Sequence, residues 1–491
     1  MTHPDPAPAA SRANEVALPR EVKIALVVLV FSAMVMILNE TILSVALPSI
    51  MTDFGVPATT AQWLTTGFML TMAIVIPTTG FLLQRFTTRA IFLAAQAVFL
   101  AGTVVAALAP VFPVLLVGRI LQATGTALIM PLLMTVAMTV VPPQRRGTVM
   151  GLISIVMAVA PALGPTASGF ILNALTWHWL FWVMVPLILV TLLVGLRYLK
   201  NVGETEATPL DILSVIVSAI AFGGLIYALS SLSVIIEGEG AERWITLAIG
   251  VAGLLALIIF AVRQTHLSKR GAALLDLAVF KIRNFTVAMA VLLVTFGALL
   301  GSVTILPIYL QTSMGATALI TGLLLLPGGL INALISPFVG RIYDRVGPRP
   351  LLVPGMTILT GALFWMSTLD ENSTETQMIA MHVVFSIGLA LIITPLMTTA
   401  LGSLPARLYG HGSAALNTLQ QLAGATGTAL LIVALSHGTN VGVAAGESVE
   451  VATAHGTHTA FLIAGFVGVV ALLASPFVTK VAEDQHEAGH A

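Results

Sequence analysis

The chain reads as an all-α polytopic membrane protein with fourteen spanning helices arranged as six, two and six. Three observations predict this. Of 491 residues, 57% are hydrophobic and 9% charged, and mean hydropathy is +1.01; soluble domains carry roughly 25% charged residues. Apolar runs of about twenty residues, the length that crosses a hydrocarbon core at helical rise, recur along the chain. A placement of the N-terminus in the cytoplasm puts every Lys and Arg except Arg119 and Arg243 in inner loops or tails. That is the sorting expected of short loops that stay behind during insertion.

The first run, residues 24–50, follows a short Ala- and Pro-rich tail and is too long for the apolar core of a cleavable signal. Further runs lie near 60–84, 89–109, 113–141, 147–173, 178–197, 211–231, 243–262, 285–310, 317–340, 349–369, 377–401, 410–436 and 457–479. The outer loops then hold Asp53, Glu237, Glu239, Glu242, Asp370, Glu371, Glu375, Glu447 and Glu450. Cysteine is absent, which excludes disulfides, thiolate catalysis and Cys-based metal sites. His437, His455 and His458 lack metal-ligand spacing, so no metal site is expected. No phosphate-binding loop and no hydrolytic triad occurs; the reading is a non-enzyme without cofactor, and nothing points to nucleic acid.

An internal repeat divides the chain. Gly80 to Arg85 has a counterpart in Gly340 to Arg345, an offset of 260, and the same offset carries Gly164 to Gly424. Two spans intervene between the sixth and ninth, so the halves keep one orientation, a parallel repeat. The expected divisions are a cytoplasmic tail (1–23), an N-terminal six-helix bundle (24–200), a two-helix insertion with linker (201–284), a C-terminal six-helix bundle (285–480) and a cytoplasmic tail (481–491). Thr208 and Pro209 read as cap and first-turn residue of the insertion, and Asp211 as structural.

Glu40 is the one charge in the first run. An ionised acid at bilayer depth costs about 2.5–3.5 kcal/mol even on the lenient scale, so such acids face a water path or a partner. Steps of four place Ser32, Met36, Glu40 and Ser44 on one stripe, expected to face inward. Arg119 lies at a similar predicted depth in the fourth run and shares a face with Gln122, Thr126 and Met130. It is read either as a coupling partner of Glu40 or as an anchor bonded to neighbouring carbonyls. Leu300 stands 260 positions beyond Glu40, so the second bundle lacks an equivalent acid. Its candidate polar contacts are Asn332, Asn417, Gln420 and Gln421, which serve substrate or helix packing. His382 is a candidate proton relay or a satisfied interfacial residue. Trp63, with Met36, is read as substrate wall or as packing.

Four stretches then resemble the major facilitator superfamily, specifically its fourteen-helix drug:proton antiporters, the group of the lincomycin-resistance and quaternary-ammonium exporters. Leu38 to Pro48, "LNETILSVALP", is similar to the branch's first-helix signature "LDxTIVNVALP". Gly118 to Ala127, "GRILQATGTA", resembles the motif whose Arg, here Arg119, is tied to proton coupling. Ala160 to Gly169, "APALGPTASG", resembles the antiporter motif, and Trp177 to Pro186 resembles "WRWIFxINVP". The loop motif "GxxxDRxGRR" keeps Asp344, Arg345 and Gly347 in the second half, whereas the first half has Gln84 before Arg85.

The resemblance implies a major facilitator fold and assigns gating to Arg85, Asp344, Arg345, Gly164 and Pro165, with the latch resting more on the second half. It implies a monomer in the bacterial inner membrane, both termini cytoplasmic, that exports amphipathic, cationic drugs in exchange for protons. The proton gradient would supply the energy. Glu40 and Arg119 would couple protons; Glu40, Met36, Trp63, Gln122, Asn332, Asn417, Gln420 and Gln421 would meet substrate. Two other readings remain open: an exporter of one metabolite or lipid, and a non-transporting membrane sensor.

Overall fold

The computed structural model describes residues 19–201, 211–238 and 240–480, with the side chains of Ser44, Val45, Pro48, Pro161, Ala162, Pro165 and Thr166 among those outside the description. The long helices are α1 (Arg20–Phe54), α2 (Trp63–Arg85), α3 (Thr88–Ala107), α4 (Phe112–Val140), α5 (Arg146–Ala174), α6 (Met184–Tyr198), α7 (Ile212–Ser230), α8 (Gly240–Ser268), α9 (Arg283–Thr312), α10 (Ala318–Val346), α11 (Arg349–Met366), α12 (Glu375–Gly402), α13 (Tyr409–Ala444) and α14 (Val449–Ala474). Among the described residues, twelve helices are long and apolar enough to cross a membrane. Helices α5 and α11, of 29 and 18 residues, stand outside those twelve, α5 because several of its side chains lie outside the description. In α11 the polar start Arg349–Pro350 dilutes an otherwise apolar run.

Hydrocarbon offers no partner for backbone polar groups, so an apolar chain at bilayer depth closes its own hydrogen bonds as helix. Loops between helices are short and capped. The hydroxyls of Thr87, Thr317, Thr374 and Ser448 accept from backbone N–H groups in the first turns of α3, α10, α12 and α14. Gly55, at φ 63°, ends α1 in the left-handed region that a side chain disfavours.

Helices α1 to α6 form one group and α9 to α14 another, joined most extensively where α5 packs on α10, while α7 and α8 pair together and α7 leans on α2 and α13. Close approach depends on missing side chains: a Cβ on Gly102 of α3 would lie 2.7 Å from the Gly118 carbonyl of α4. With little hydrophobic force between helices in lipid, such contacts supply association. The bundle has two chemically distinct ends. One, called here the basic end, carries Arg20, Arg85, Arg145, Arg349, Arg407 and Lys480, and includes the Lys200–Glu21 ion pair at 2.6 Å. The acidic end includes Asp53, which accepts from Trp177 Nε1 at 3.0 Å, and Asp370, whose carbonyl accepts from Tyr309 at 2.6 Å.

Asp211 precedes α7 but its side chain does not cap the helix. It receives two hydrogen bonds from Arg263 of α8, at 2.8 and 2.9 Å. Thr208 and Pro209, expected as cap and first turn, lie outside the described residues.

Candidate functional site

The polar centre of the first helix group is built on Arg119, which is 1% exposed. Its Nη1 donates to Gln122 Oε1 at 2.9 Å and to the Asn39 carbonyl of α1 at 3.5 Å, and Nε donates to the Leu64 carbonyl of α2 at 3.5 Å. The guanidinium lies 4.3 Å from the centre of the Phe68 ring, a favourable cation–π distance. Gln122 Nε2 donates in turn to Thr103 Oγ1 of α3 at 2.9 Å and to Asn39 Oδ1 at 3.3 Å. The buried cation thus ties α4 to α1 and α2 through carbonyl oxygens, and its partner Gln122 extends the network to α3, in the manner of the anchor reading of Arg119.

Glu40 follows Asn39 on α1 and is half-buried. Its charge acts on that of Arg119, yet the two do not close to an ion pair; those among the described residues are Lys200–Glu21, Asp211–Arg263 and His455–Glu447. Glu40 also makes no hydrogen bond among the described residues. The depth match predicted from helix ends holds for a different reason. Helix α1 runs on to Phe54, well past Pro48, and it is the Arg119 contact with the Asn39 carbonyl that sets the two at one level.

Three candidates for substrate contact sit elsewhere than expected. Met36 is 1% exposed and Gln122 fully buried, because this stripe of α1 faces neighbouring helices: Ser32, on the same stripe, accepts from Gln96 Nε2 of α3 at 2.6 Å. Trp63 is 43% exposed and stacks on Tyr227 of α7 with ring centres 6.3 Å apart, so its indole packs on the insertion. In the second group, Asn417 donates back to the Ser413 carbonyl at 2.8 Å, and Asn332 Oδ1 accepts from Ser336 at 3.1 Å. Gln420 is 4% exposed with Nε2 unpartnered among the described residues, and Gln421 is half-buried. His382 lies beside the Leu325 backbone and 6.3 Å from the Phe385 ring centre, with Nδ1 buried and unpartnered among the described residues.

Of the residues expected to gate, Asp344 belongs to a second polar cluster, at the basic end. Asp344 Oδ1 accepts from the Gly147 N–H at 2.7 Å, and Oδ2 accepts from the Thr148 N–H at 2.8 Å and its hydroxyl at 2.6 Å. One carboxylate of α10 thereby caps the first turn of α5 across the two groups. Gly340 lets the backbones meet, since a Cβ there would run into the Gly147 carbonyl. Toward the same end, the hydroxyls of Thr135 and Ser413 pair at 2.8 Å and those of Ser154 and Thr394 at 2.8 Å. Arg345 is exposed. Gly164 packs against Thr41 of α1, within the first group, and the side chain of Pro165 lies outside the description. Asn39, Thr103, Gly147 and Thr148 were missed by sequence reasoning; the Arg-Arg-Gly-Thr run at the start of α5 was the available signal for the last two.

Fold and comparisons agree. The Major Facilitator Superfamily model matches residues 29–428. The chain belongs to that superfamily. It is 39% identical over 449 residues to the lincomycin resistance protein LmrB of Listeria monocytogenes, covering 90% of this chain and 93% of that one. It is 40% identical over 451 residues to the uncharacterized MFS-type transporter YcnB of Bacillus subtilis, covering 91% and 93%. The solved proton:xylose symporter XylE shares the fold at TM-score 0.65 and 16% identity, covering 94% of this chain and 96% of that one. This chain is therefore a multi-pass membrane transporter, not an enzyme.

Proposed function

We propose that this transporter is a proton-coupled antiporter that exports amphipathic, cationic compounds by alternating access. The observation that carries the reading is the contrast at the centre of the first group. Arg119 spends its donors on carbonyl and amide oxygens, which leaves Glu40 half-buried and without a hydrogen bond among the described residues. A carboxylate so placed is free to take a proton or to face a cation, and not both, so the two ligands exchange. A membrane potential adds about 2.3 kcal/mol per charge per 100 mV, enough to drive uphill export without a bound cofactor.

The proposed architecture has fourteen spans, with α5 and α11 added to the twelve, as six-helix bundles over 24–200 and 285–480 and an insertion over 201–284. The basic end faces the cytoplasm, in keeping with loop charge, and carries both termini; the protein acts as a monomer in the inner membrane. With the basic ends joined through Asp344, the described conformation is closed toward the cytoplasm. The lincomycin resistance named for relatives makes lincomycin a substrate to test beside ethidium. Purified protein in liposomes should show efflux of either compound that rises with an imposed pH difference and falls at least tenfold in Glu40→Gln. Efflux indifferent to the pH difference, or unchanged in the variant, overturns the proposal.

A further inference from the structure

The pseudo-repeat gives α7 and α8 no counterpart, and their outer faces form an open groove of ≈ 600 Å³. Its walls are apolar: Leu213 and Val217 of α7, Ile259 and Val262 of α8. Its rim, at the basic end, holds Arg263, His266 and Arg270. These side chains differ in what already occupies them. Arg263 is committed to Asp211 by two hydrogen bonds, and that pairing, chiefly the Arg263 hydrogen bond, holds the Asp211 carboxyl below its usual range. Arg270 and its neighbour Lys269 are exposed and make neither ion pair nor hydrogen bond through their side chains among the described residues. Among the described residues the other nearby acid is Asp276, which is turned to Ser268 and the Ala278 N–H, at 2.7 and 2.9 Å. His266 Nδ1 lies 2.9 Å from the Val262 carbonyl, which leaves Nε2 unengaged.

We propose that this groove is a binding site for an anionic phospholipid, with an acyl chain along the α7–α8 walls and the phosphate at Arg270, Lys269 and His266. The chemistry on each side fits. The walls belong to spanning helices, so the neighbouring medium is lipid. Arg270 lies just beyond the end of α8, at headgroup level, where a planar guanidinium grips a phosphate with two parallel hydrogen bonds. Basic pockets between spanning helices bind anionic headgroups. A zwitterionic lipid would fill the walls equally and leave the rim unneutralised. Because α7 also packs on α2 and α13, the lipid would brace the insertion against helices that meet at the basic end.

The test uses the full chain in detergent, titrated with phosphatidylglycerol or phosphatidylcholine and read by native mass spectrometry and thermal melting. Saturable retention of one phosphatidylglycerol with a rise in melting temperature is expected, and at least tenfold weaker retention of phosphatidylcholine. Lys269→Gln with Arg270→Gln should weaken phosphatidylglycerol at least tenfold. Val217→Trp, which fills the groove from its half-buried wall and keeps the charges, should do the same. Equal retention of the two lipids means annular lipid only and overturns the proposal. Undiminished phosphatidylglycerol binding in both variants, or the full thermal shift from inorganic phosphate alone, overturns it as well.

Discussion

Where α10 crosses α5, a carboxylate accepts three hydrogen bonds from the partner group and two glycine backbones touch. Where α2 crosses α13, the place related by the repeat, the contact is of another kind. Gly80 faces the imidazole of His411, Gly410 faces Leu83, and Gln84, which stands where Asp344 stands in the repeat, makes no hydrogen bond among the described residues. His411 is itself buried with Nδ1 unpartnered among the described residues. One crossing is therefore held by directional, charge-assisted bonds to a helix N-terminus, whose partial positive charge favours an acid. The other is held by shape. A latch of the first kind has a defined closed position and a sharp release; a contact of the second kind slides and accommodates. On the proposed alternating-access mechanism, closure at the basic end would be set by the second helix group, with the α2–α13 crossing following it.

The largest expected effect is loss of that asymmetry. Bonds to a charged acceptor contribute about 1.5–3 kcal/mol each in favourable settings, and they are not additive. Asp344→Ala also strands two N–H groups of α5. A net change of about 3 kcal/mol moves a two-state equilibrium by more than a hundredfold, so the basic end should open and transport should fall at least tenfold. The chain has no cysteine, so a single cysteine introduced at Ser154, buried where α5 meets Thr394 of α12, reports opening directly as faster labelling by a water-soluble maleimide. Labelling that stays at the parent rate in Asp344→Ala would refute the latch. Glu40→Gln, by contrast, should abolish coupling and leave this labelling pattern in place.

A smaller effect separates the crossings by what a methyl group meets. At Gly340 a Cβ runs into backbone, the Gly147 carbonyl, whereas at Gly80 it meets first the His411 ring, 2.8 Å from Nδ1. Backbone cannot rotate aside and a side chain can. Overpacking of this type costs about 1–3 kcal/mol, and the upper part of that range is expected for Gly340→Ala, the lower for Gly80→Ala. Labelling at the same cysteine and thermal melting should rank them in that order. Equal effects would mean that the two crossings carry closure alike.

Part of this arrangement was readable in the sequence. Glu40, Arg119 and Asp344 stand out because a charge in an apolar run, or a motif retained in one half only, has few explanations. The long helices were equally plain from hydropathy. The facing of polar stripes was not. Steps of four put Ser32, Met36 and Glu40 together, but a helix inside a bundle turns several faces to protein, and Ser32 points to Gln96 of α3 while Gln122 points to Thr103. Periodicity finds the stripe and not its neighbour. Trp63 was beyond reach for a further reason: its partner Tyr227 sits on an inserted helix whose docking place no local pattern records.

The remaining prediction repairs the weaker crossing. Gln84→Asp would restore an acid one residue beyond Leu83, which already touches Gly410 in the first turn of α13. That turn offers unsatisfied N–H groups to a carboxylate as the first turn of α5 does, so a second cap should form. Two directional latches hold the closed state more firmly than one, by about 0.5–2 kcal/mol on the scale of helix caps. Labelling at the basic end should then slow further, transport should drop severalfold through delayed opening, and the double variant with Asp344→Ala should recover part of the lost closure. If Gln84→Asp leaves both rates unchanged, the α2–α13 crossing does not present its helix end to that position, and its looseness comes from the packing of Gly80 on His411 alone.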